Sequence, residues 1–488
     1  MKEFFIEYYP QIILGVEILY FIGVILLSAK IIIDTKTTSK TLAYLLLIIF
    51  LPVVGIIIYF VFGVNFRKNT FFNYKIERNE EIYSKIKKYI EETHRKVLAE
   101  RFHEVSKYEN TADFLFHSVH SPLTQGNEVQ LLINGEEKFP KVFEAIKAAK
   151  HHIHLEYYIY ANDDIGNRLA DALIEKSRKG IEVRFMYDDL GSNKIGKKLL
   201  SRLREAGVEV TPVNKIKFKL LANRVNYRDH RKIIIIDGRE VFIGGINVSD
   251  KYINPNQFQY WRDTHLYIKG SGAFYFQFMF FTNWILTNEK MIDINPSYFD
   301  YDYQVQADKI VQAVPSGPDM KPAIMLSSTS SIFSAKKRIY ITTPYFIPVE
   351  SVLNAIKQQA MAGLDVRLLV PKNGDSVFVN AAAYSYYGEL LEANVRIFFY
   401  EKGFVHAKTM LIDDDLAVVG TANMDVRSQE LNFEVNTMVY DREINEKLFL
   451  AFEEDLKSST EIFLKDWENR SKGKVFFEHL ARLMSPLM

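Results

Sequence analysis

The first 65 residues are far more apolar than the rest of the chain. Residues 11–33 carry only Glu17 and Lys30 as charges, and residues 41–64 carry no charge at all. A helix needs about 20 apolar residues to cross a bilayer, so each run is long enough. We therefore predict two transmembrane helices over residues 1–65, joined by the polar loop DTKTTSK. A second apolar run and the lack of a small-residue cleavage site argue against a cleaved signal peptide.

Basic residues flank this predicted hairpin on both sides. The loop region contains Lys30, Lys36 and Lys40. The two ends of the hairpin are slightly more basic, with Lys2, Arg67, Lys68, Lys75 and Arg78. The positive-inside rule therefore favours both ends in the cytoplasm, and we expect a multi-pass protein with its remaining residues on the cytoplasmic face. Residues 66–110 are rich in Lys, Glu and Arg at helical spacing, which predicts a solvated helical linker.

The rest of the chain contains one pattern twice. AAKHHIHLEYYIY (148–160) resembles SAKKRIYITTPYFIP (334–348), and each is followed by a helical pattern, a glycine and a strand of the form x-[ED]-V-R. Strands that alternate with helices predict an α/β sandwich with a mostly parallel sheet. We predict one half over residues 111–300 and its twin over residues 301–488. Two such halves should pair about a pseudo-twofold axis, with equivalent loops facing each other.

Each half carries a histidine and a lysine at the start of an apolar strand. His230 and Lys232 precede four isoleucines, and His406 and Lys408 precede a similar run. Side chains two apart on a strand point the same way, so each pair shares a face. The unbroken isoleucines indicate a strand that is buried on both faces. Strand ends are where α/β sheets carry their functional sites.

Further polar residues recur at matching distances from each histidine. An aspartate follows at the strand end, Asp237 or Asp413, and we count both among the candidate catalytic residues, although their position suits a turn or a supporting role behind the site better than direct contact with a ligand. An asparagine follows the histidine by 17 residues in both halves, after small residues that let backbone amides approach an anion. These asparagines are Asn247 and Asn423.

A carboxylate comes next in each half, Asp263 and Glu434, of the kind that fixes an imidazole tautomer. One copy of this pattern would fit a structural histidine. Two copies in matching positions of a repeat argue for a functional site.

Composition removes several classes of function. The 488 residues include no cysteine, which excludes disulfides, thiolate zinc sites and cysteine nucleophiles. The net charge is +1, whereas a nuclease usually carries a strongly basic surface, so no nucleic-acid partner is expected. The motifs offer no metal-ligand set beyond a single histidine each, and we expect no metal or other cofactor.

With both motifs in place, the chain resembles the phospholipase D superfamily, which carries paired H-x-K-x4-D motifs, each followed by G-[GS]-x-N. The second element reads Gly-Thr instead of Gly-Ser, which keeps a hydroxyl at Thr421. The segments LEYYIYANDDIG, MYDDLGS, SGPD, TPYFIP, GTANMDVRS and LNFEVN, together with the apolar N-terminus, resemble bacterial cardiolipin synthases. The resemblance implies two phospholipase D-like αβα sandwich halves behind a membrane hairpin, in a bacterial cell membrane.

The same resemblance implies a reaction and roles for the residues. Two phosphatidylglycerol molecules would give cardiolipin and glycerol through a phosphohistidine, with His230 as the nucleophile and His406 as the acid and base. Lys232, Lys408, Asn247 and Asn423 would hold the phosphoryl oxygens. Two alternatives stay open: a membrane-anchored phospholipase D that hydrolyses phospholipids, and a lipid-binding scaffold with a dead site. The sequence also leaves the oligomeric state open, a homo-oligomer included.

One segment has no counterpart in the second half. Residues 215–228, KIKFKLLANRVNYR, begin with lysines that alternate with Ile216, Phe218 and Leu220. Such alternation is typical of a half-buried strand, but it would also suit a segment that lies in the headgroup layer of an anionic membrane. We expect this segment beside the mouth of the active site, facing the membrane.

Overall fold

The computed structural model describes residues 2–35, 38–60, 80–215, 227–255, 259–288, 296–299 and 305–483. They form two compact units, an N-terminal one up to residue 60 and a larger one from residue 80 onwards. Residues 216–226 lie outside the described residues, so the expected membrane-facing segment stays a prediction.

The first apolar run forms a single long helix, α1 (Lys2–Asp34). Within its 27 residues from Tyr8 to Asp34, an 18-residue stretch has a mean hydropathy of 2.5, so the helix is long and apolar enough to cross a bilayer. The first predicted span is therefore present as a continuous helix.

The second apolar run is not the single continuous helix that we predicted. It forms α2 (Thr38–Phe50) and α3 (Pro52–Ile58), which are separated at Leu51. Leu51 adopts φ −135° and ψ 66°, because a residue before proline is pushed out of the helical region. Residues 61–65 lie outside the described residues, so the full hairpin stays a prediction.

The charged segment is not a solvated linker over its described part. Helix α4 (Glu80–Val105) buries Ile86, Ile90, Val97 and Val105 in the cores of the larger unit. Its charges cover the outer side of a helix whose apolar stripe packs inward. A short 3-10 turn and α5 (Glu109–Val119) then lead into the repeated region.

Each half contributes a matching series of elements. The strands of the first half are β1 (Thr124–Ile133), β2 (His152–Tyr157), β3 (Glu182–Asp188), β4 (Glu209–Val213), β5 (Lys232–Ile236), β6 (Glu240–Gly244), β7 (Trp261–Arg262) and β8 (Thr264–Gly270). Its helices are α6 (Asn134–Ala148), α7 (Asp164–Arg178), α8 (Lys197–Glu205) and α9 (Ala273–Asn288).

The second half repeats this order. Its strands are β9 (Lys309–Ser316), β10 (Arg338–Thr342), β11 (Phe346–Ile347), β12 (Asp365–Pro371), β13 (Arg396–Tyr400), β14 (Phe404–Val405), β15 (Thr409–Ile412), β16 (Leu416–Gly420), β17 (Met424–Asp425), β18 (Glu434–Tyr440) and β19 (Ser459–Ile462). Its helices are α10 (Ala323–Ser334), α11 (Glu350–Met361), α12 (Val377–Glu392), α13 (Val426–Glu430), α14 (Arg442–Leu456), α15 (Leu464–Glu468) and α16 (Lys472–Arg482).

The two halves share one sheet of 15 strands in the described part of the chain. From the middle outwards, the first half runs β1-β8-β6-β5-β2-β3-β4 and the second runs β9-β18-β16-β15-β10-β12-β13, with β19 added at its edge. The central strands β1 and β9 pair antiparallel. This mirrored order confirms the predicted pair of α/β halves.

The expectation of a mostly parallel sheet is wrong. Within the 15-stranded sheet, parallel pairing is confined to β2-β3-β4 in the first half and β10-β12-β13 in the second. Tight turns join β5 to β6 and β15 to β16, and such hairpins can form only antiparallel pairs. Helices α6 to α8 pack on one face of the first half, and α9 packs on the other face in a core shared with the second half.

Candidate active site

The four isoleucines of β5 are buried on both faces, as their pattern predicts. Ile233 and Ile235 pack into the core shared by the two halves, whereas Ile234 and Ile236 pack against the helices of the first half. None is more than 2% exposed. A strand buried in this way has one register, so it holds His230 and Lys232 in fixed positions at its start.

Each motif lysine lies buried behind the histidine that precedes it. Lys232 Nζ donates to the backbone carbonyl of His230, and Lys408 Nζ donates to that of His406. Lys408 Nζ also lies 2.9 Å from His406 Nδ1. The contact between lysine and carbonyl is the same in both halves, and it places an ammonium group next to each motif histidine.

Each histidine faces the carboxylate of the other half. His406 Nδ1 lies 2.7 Å from Asp263 Oδ2. His230 Nδ1 lies 3.1 Å from Glu434 Oε1. Because Nδ1 faces the carboxylate in both cases, Nε2 of each ring is left for a substrate.

Backbone hydrogen bonds also connect each motif histidine to the other half. The His230 amide donates to the carbonyl of Phe433 at 2.9 Å, and the His406 amide donates to the carbonyl of Arg262 at 2.7 Å. Strand β14, just before His406, pairs in parallel with β7 of the first half. The two motifs therefore form one composite site, and neither half contains a complete one.

Burial controls the charge of the second motif. Burial and the neighbouring charge of Lys408 lower the pKa of His406 to about 3, although Asp263 opposes them. Burial also lowers the pKa of Lys408 to about 7 and lowers that of Lys232. With no substrate bound, His406 is therefore a neutral imidazole at neutral pH.

Asp263 stays ionised despite full burial. Burial alone would raise its pKa, but Lys408, His406 and the Thr264 amide outweigh burial, so its pKa lies below the usual value. The Thr264 amide donates to Asp263 Oδ1 at 2.8 Å. This fixed carboxylate can orient the ring of His406 and stabilise an imidazolium there.

The structure does not bring the two motif aspartates to the histidines. Asp237 lies beyond the far end of β5, where its carboxylate accepts from the amides of residues 150–152 at 2.8–3.0 Å. Asp413 likewise accepts from the amides of residues 336–338 and from the Lys107 ammonium group. Both adopt positive φ, 54° and 49°, in the turns that follow the motif strands. They anchor turns, and the structure gives them no contact with the reacting groups.

The two motif asparagines occupy different surroundings. Asn247 Oδ1 accepts from the Ile159 amide at 3.1 Å, and its Nδ2 donates to Tyr252 Oη at 2.7 Å. Both hydrogen bonds join Asn247 to other residues of the first half, so they stabilise the fold. Asn423 Nδ2 donates to Asp425 at 3.0 Å, and Asn423 lines the cleft beside His230. Its Oδ1 has no hydrogen-bond partner within the described part of the chain.

Thr421 acts on Glu434. Its hydroxyl donates to Glu434 Oε2 at 2.6 Å, and it accepts from the Val435 amide at 2.9 Å. At the equivalent position the first half has Gly245, where a Cβ atom would lie 2.0 Å from Asp263 Oδ1. The Gly-Thr variant therefore positions the carboxylate that faces His230.

Sequence reasoning missed the ion pairs that support His230. Arg228, 2% exposed, donates through Nε to Asp188 Oδ1 at 3.1 Å, and Asp188 Oδ2 accepts from the Asp229 amide. On the other side of His230, Arg231 donates to Glu156 at 3.0 Å. The signal was the run of four charged or titratable residues, RDHR, directly before a buried strand, because buried charges require partners.

A cleft opens beside His230. It is lined by residues of the second half that include Tyr345, Asp375, Asn423 and Arg427. Tyr345 Oη donates to Asp375 Oδ2 at 2.6 Å at its rim. Within the described ranges, no group of three or more His, Asp or Glu side chains is arranged to hold a metal ion.

Comparison with known proteins finds relatives that match nearly the whole chain. Residues 142–259 and 329–456 match the phospholipase D-like domain of cardiolipin synthase, and residues 18–63 match the phospholipase D-nuclease N-terminal region. A cardiolipin synthase of Geobacillus sp. strain WCH70 is 38% identical over 487 residues, covering 97% of this chain and 94% of its own length. The major cardiolipin synthase ClsA of Bacillus subtilis is 38% identical over 477 residues, covering 96% of this chain and 98% of its own.

A solved structure shares the fold. Phosphatidylserine synthase of Haemophilus influenzae superposes with a TM-score of 0.56, covering 74% of this chain and 94% of that one. The identity is 14%, so this likeness concerns the fold alone. The two domain matches and near-complete alignments, among them one at 41% identity to cardiolipin synthase 2 of Bacillus cereus, show the family of this chain. The chain belongs to the family of cardiolipin synthases with phospholipase D-like domains.

Proposed function

We propose that the chain transfers a phosphatidyl group from one phosphatidylglycerol to a glycerol hydroxyl of another, giving cardiolipin and free glycerol. The observation that carries this proposal is the exchange of carboxylates between the halves. It leaves Nε2 of His230 and of His406 available in one composite site. Two such imidazoles suit a reaction that proceeds in two displacements, each needing a proton transfer.

In the first displacement, His230 Nε2 attacks phosphorus and forms a phosphorus–nitrogen bond. The bond from phosphorus to the departing glycerol oxygen breaks, and that oxygen takes a proton from His406 Nε2. In the second displacement, His406 removes the proton from a hydroxyl of the second phosphatidylglycerol. The resulting oxygen attacks phosphorus, the bond to His230 breaks, and cardiolipin leaves.

The buried lysines supply the charge that this chemistry requires. The transition state gathers negative charge on the equatorial phosphoryl oxygens, and the buried ammonium groups of Lys232 and Lys408 can offset it, that of Lys408 below its pKa of about 7. Asn423 lines the cleft beside His230, and we assign its amide group to a phosphoryl oxygen or to a hydroxyl of the acceptor.

A bound phosphodiester should also change the state of His406. With its pKa lowered to about 3, this imidazole is neutral in the empty site. A neutral ring can act as a base or a nucleophile, but with its one proton on Nδ1, toward Asp263, it has no proton on Nε2 to give to the leaving oxygen. The anionic substrate would offset the charge of Lys408 and raise the pKa of His406, which would prepare it as the acid. If a bound phosphodiester does not raise the pKa of His406, then His406 is the nucleophile and His230 is the acid and base.

Since both histidines and both carboxylates belong to one chain, the proposed reaction needs no second copy. We place the larger unit on the cytoplasmic face of the cell membrane, on the balance of basic residues around the N-terminal helices. The absence of native cysteine makes this testable, because Lys36→Cys should react with an impermeant thiol reagent from outside the cell and Lys88→Cys should not.

The product decides between transfer and hydrolysis. Purified full-length protein, reconstituted in vesicles with phosphatidylglycerol as the sole lipid substrate, should yield cardiolipin and glycerol in equal amounts. A phospholipase D would use water as the acceptor and yield phosphatidic acid. Phosphatidic acid as the main product would overturn the proposal.

A further inference from the structure

Six large apolar side chains lie exposed on two neighbouring helices of the second half. They are Val377 and Phe378 at the start of α12, and Phe476, Phe477, Leu480 and Leu483 on or just after α16, and we call this set the apolar rim. Their exposure runs from 38% to 75%. The rings of Phe378 and Phe477 lie 5.7 Å apart, so the two helices form one continuous apolar surface.

Helix α16 turns its apolar residues outward and a carboxylate inward. Glu478 is 2% exposed and is held by Arg470 at 2.7 Å. Arg482 donates to Glu389 of α12 at 2.9 Å. A surface helix of a water-soluble domain normally does the opposite. Because polar contacts fix this orientation, the outward phenylalanines and leucines are a built feature of the surface.

The apolar rim lies at the mouth of the catalytic cleft. Asp375, Ser376 and Val379 line the cleft that contains His230, and Val377 and Phe378 lie between them in the chain. Ser376 also caps α12, since its hydroxyl accepts from the Val379 amide at 3.4 Å. The rim is therefore fixed to the cleft by the first turn of one helix.

The charges on α16 suit an anionic surface. Lys472 and Lys474 are exposed in its first turn, and His479 is exposed further along. Its single acid, Glu478, is buried and paired. Outward apolar side chains flanked by lysines are the composition of a helix that lies in the headgroup layer of an anionic bilayer.

We propose that the apolar rim inserts into the headgroup region of the anionic bilayer and holds the cleft open toward the lipids. This inference rests on the proposed function, since both of its substrates reside in that bilayer. Insertion would let a phosphatidylglycerol headgroup reach His230 without leaving the membrane. It would be a second point of attachment, separate from the N-terminal helices.

The test compares two substrates for the full-length, reconstituted protein. The triple variant Phe476→Ser, Leu480→Ser, Leu483→Ser alters only exposed side chains outside the catalytic machinery. We expect it to lose at least about 10-fold in rate on phosphatidylglycerol vesicles, and to retain its rate on a short-chain phosphatidylglycerol below its micellar concentration. A matched control, Met361→Ser with Leu450→Ser, removes exposed apolar side chains of α11 and α14 and should retain both rates. Equal loss on both substrates, or no loss on either, would overturn the proposal.

A second measurement does not depend on activity. Tryptophan at Phe476→Trp should be quenched by lipids brominated near the headgroup, and tryptophan at Leu450→Trp should not. Absence of quenching at Phe476→Trp, including the case in which a second copy of the chain covers the rim, would contradict membrane insertion. If the unaltered protein makes no cardiolipin from either substrate, the proposed function fails. The quenching result still shows whether the apolar rim inserts into the bilayer.

Discussion

His406 Nδ1 lies 2.7 Å from Asp263 Oδ2, although the two residues belong to different halves of the chain and are 143 positions apart. The carboxylate can fix the ring tautomer and stabilise its protonated form. We therefore expect Asp263→Asn to fold normally and to lower kcat by roughly 10²- to 10⁴-fold, the range that acid and base help contributes. Steady-state rates on phosphatidylglycerol vesicles, with thermal melting as the control for folding, check this.

Glu434→Gln should have a similar effect through the other histidine, since Glu434 faces His230. Combining the two changes should cost much less than the product of the single losses, because both act on one two-step reaction. Near-normal rates in both single variants would mean that the two acids only support the fold.

The pH dependence should follow the buried lysines. The pKa of Lys408 is lowered to about 7 and that of Lys232 is lowered as well, so rising pH removes positive charge from the empty site. We therefore expect kcat/KM, which reports the free enzyme, to fall as the pH rises above about 7. Lys408→Arg keeps its charge at every accessible pH and should move this fall to higher pH, whatever its effect on the maximal rate. If kcat/KM of Lys408→Arg falls over the same pH range as that of the unaltered protein, a group other than Lys408 controls the fall.

The motif aspartates should matter for stability and not for chemistry. Asp413→Ala leaves the amides of residues 336–338 and the Lys107 ammonium group without their shared acceptor. Leaving such groups unpaired costs about 1–3 kcal/mol, which should lower the melting temperature by roughly 2 to 10 °C. The rate per folded molecule should be retained below the melting range.

Asp237→Asn provides a milder comparison for these turns. Asparagine tolerates the positive φ of 54° at this position and keeps one acceptor oxygen. It should therefore melt at a higher temperature than Asp237→Ala. A large loss of rate in either variant, with unchanged melting, would give the aspartates a direct role in the reaction.

The hydroxyl of Thr421 should assist His230 through Glu434. Thr421→Val keeps the shape of the side chain but removes the donor 2.6 Å from Glu434 Oε2. Losing a hydrogen bond to a charged group costs about 1.5–3 kcal/mol, so we expect a loss of about 10-fold or more in kcat and little change in KM. Thr421→Ser keeps the donor and should restore most of the rate. Equal rates for the valine and serine variants would assign Thr421 to packing alone.

Local pattern predicted the parts of the site that depend on one strand. The run after Lys232 is buried on both faces as expected, and period-two alternation fixes where His230 and Lys232 lie. The mirrored halves also followed from the repeat. These features depend on residues close together in sequence, where hydrophobic spacing carries the information.

The sequence pattern does not show which residue of one half contacts which residue of the other. Which acid faces which histidine depends on how the halves associate. Asp263 follows His230 and Glu434 follows His406 in sequence, so spacing alone would assign each acid to the histidine of its own half. The direction of the strands was mistaken because strand and helix alternation indicates crossovers but not the hairpins that follow them. Helix α4 was mistaken for a solvated linker because its charges hide a narrow apolar stripe.

The central claim is that one site, built from both halves, passes the phosphatidyl group through a histidine. Its most direct test is a rapid alkaline quench of the unaltered protein during turnover of phosphatidylglycerol labelled in its phosphate, followed by digestion and mapping of the label. The account predicts a phosphohistidine at His230, and none in Asp263→Asn within the time that saturates the unaltered protein. Label at His406 would reverse the two roles, and cardiolipin formation without label on either histidine would contradict the covalent mechanism.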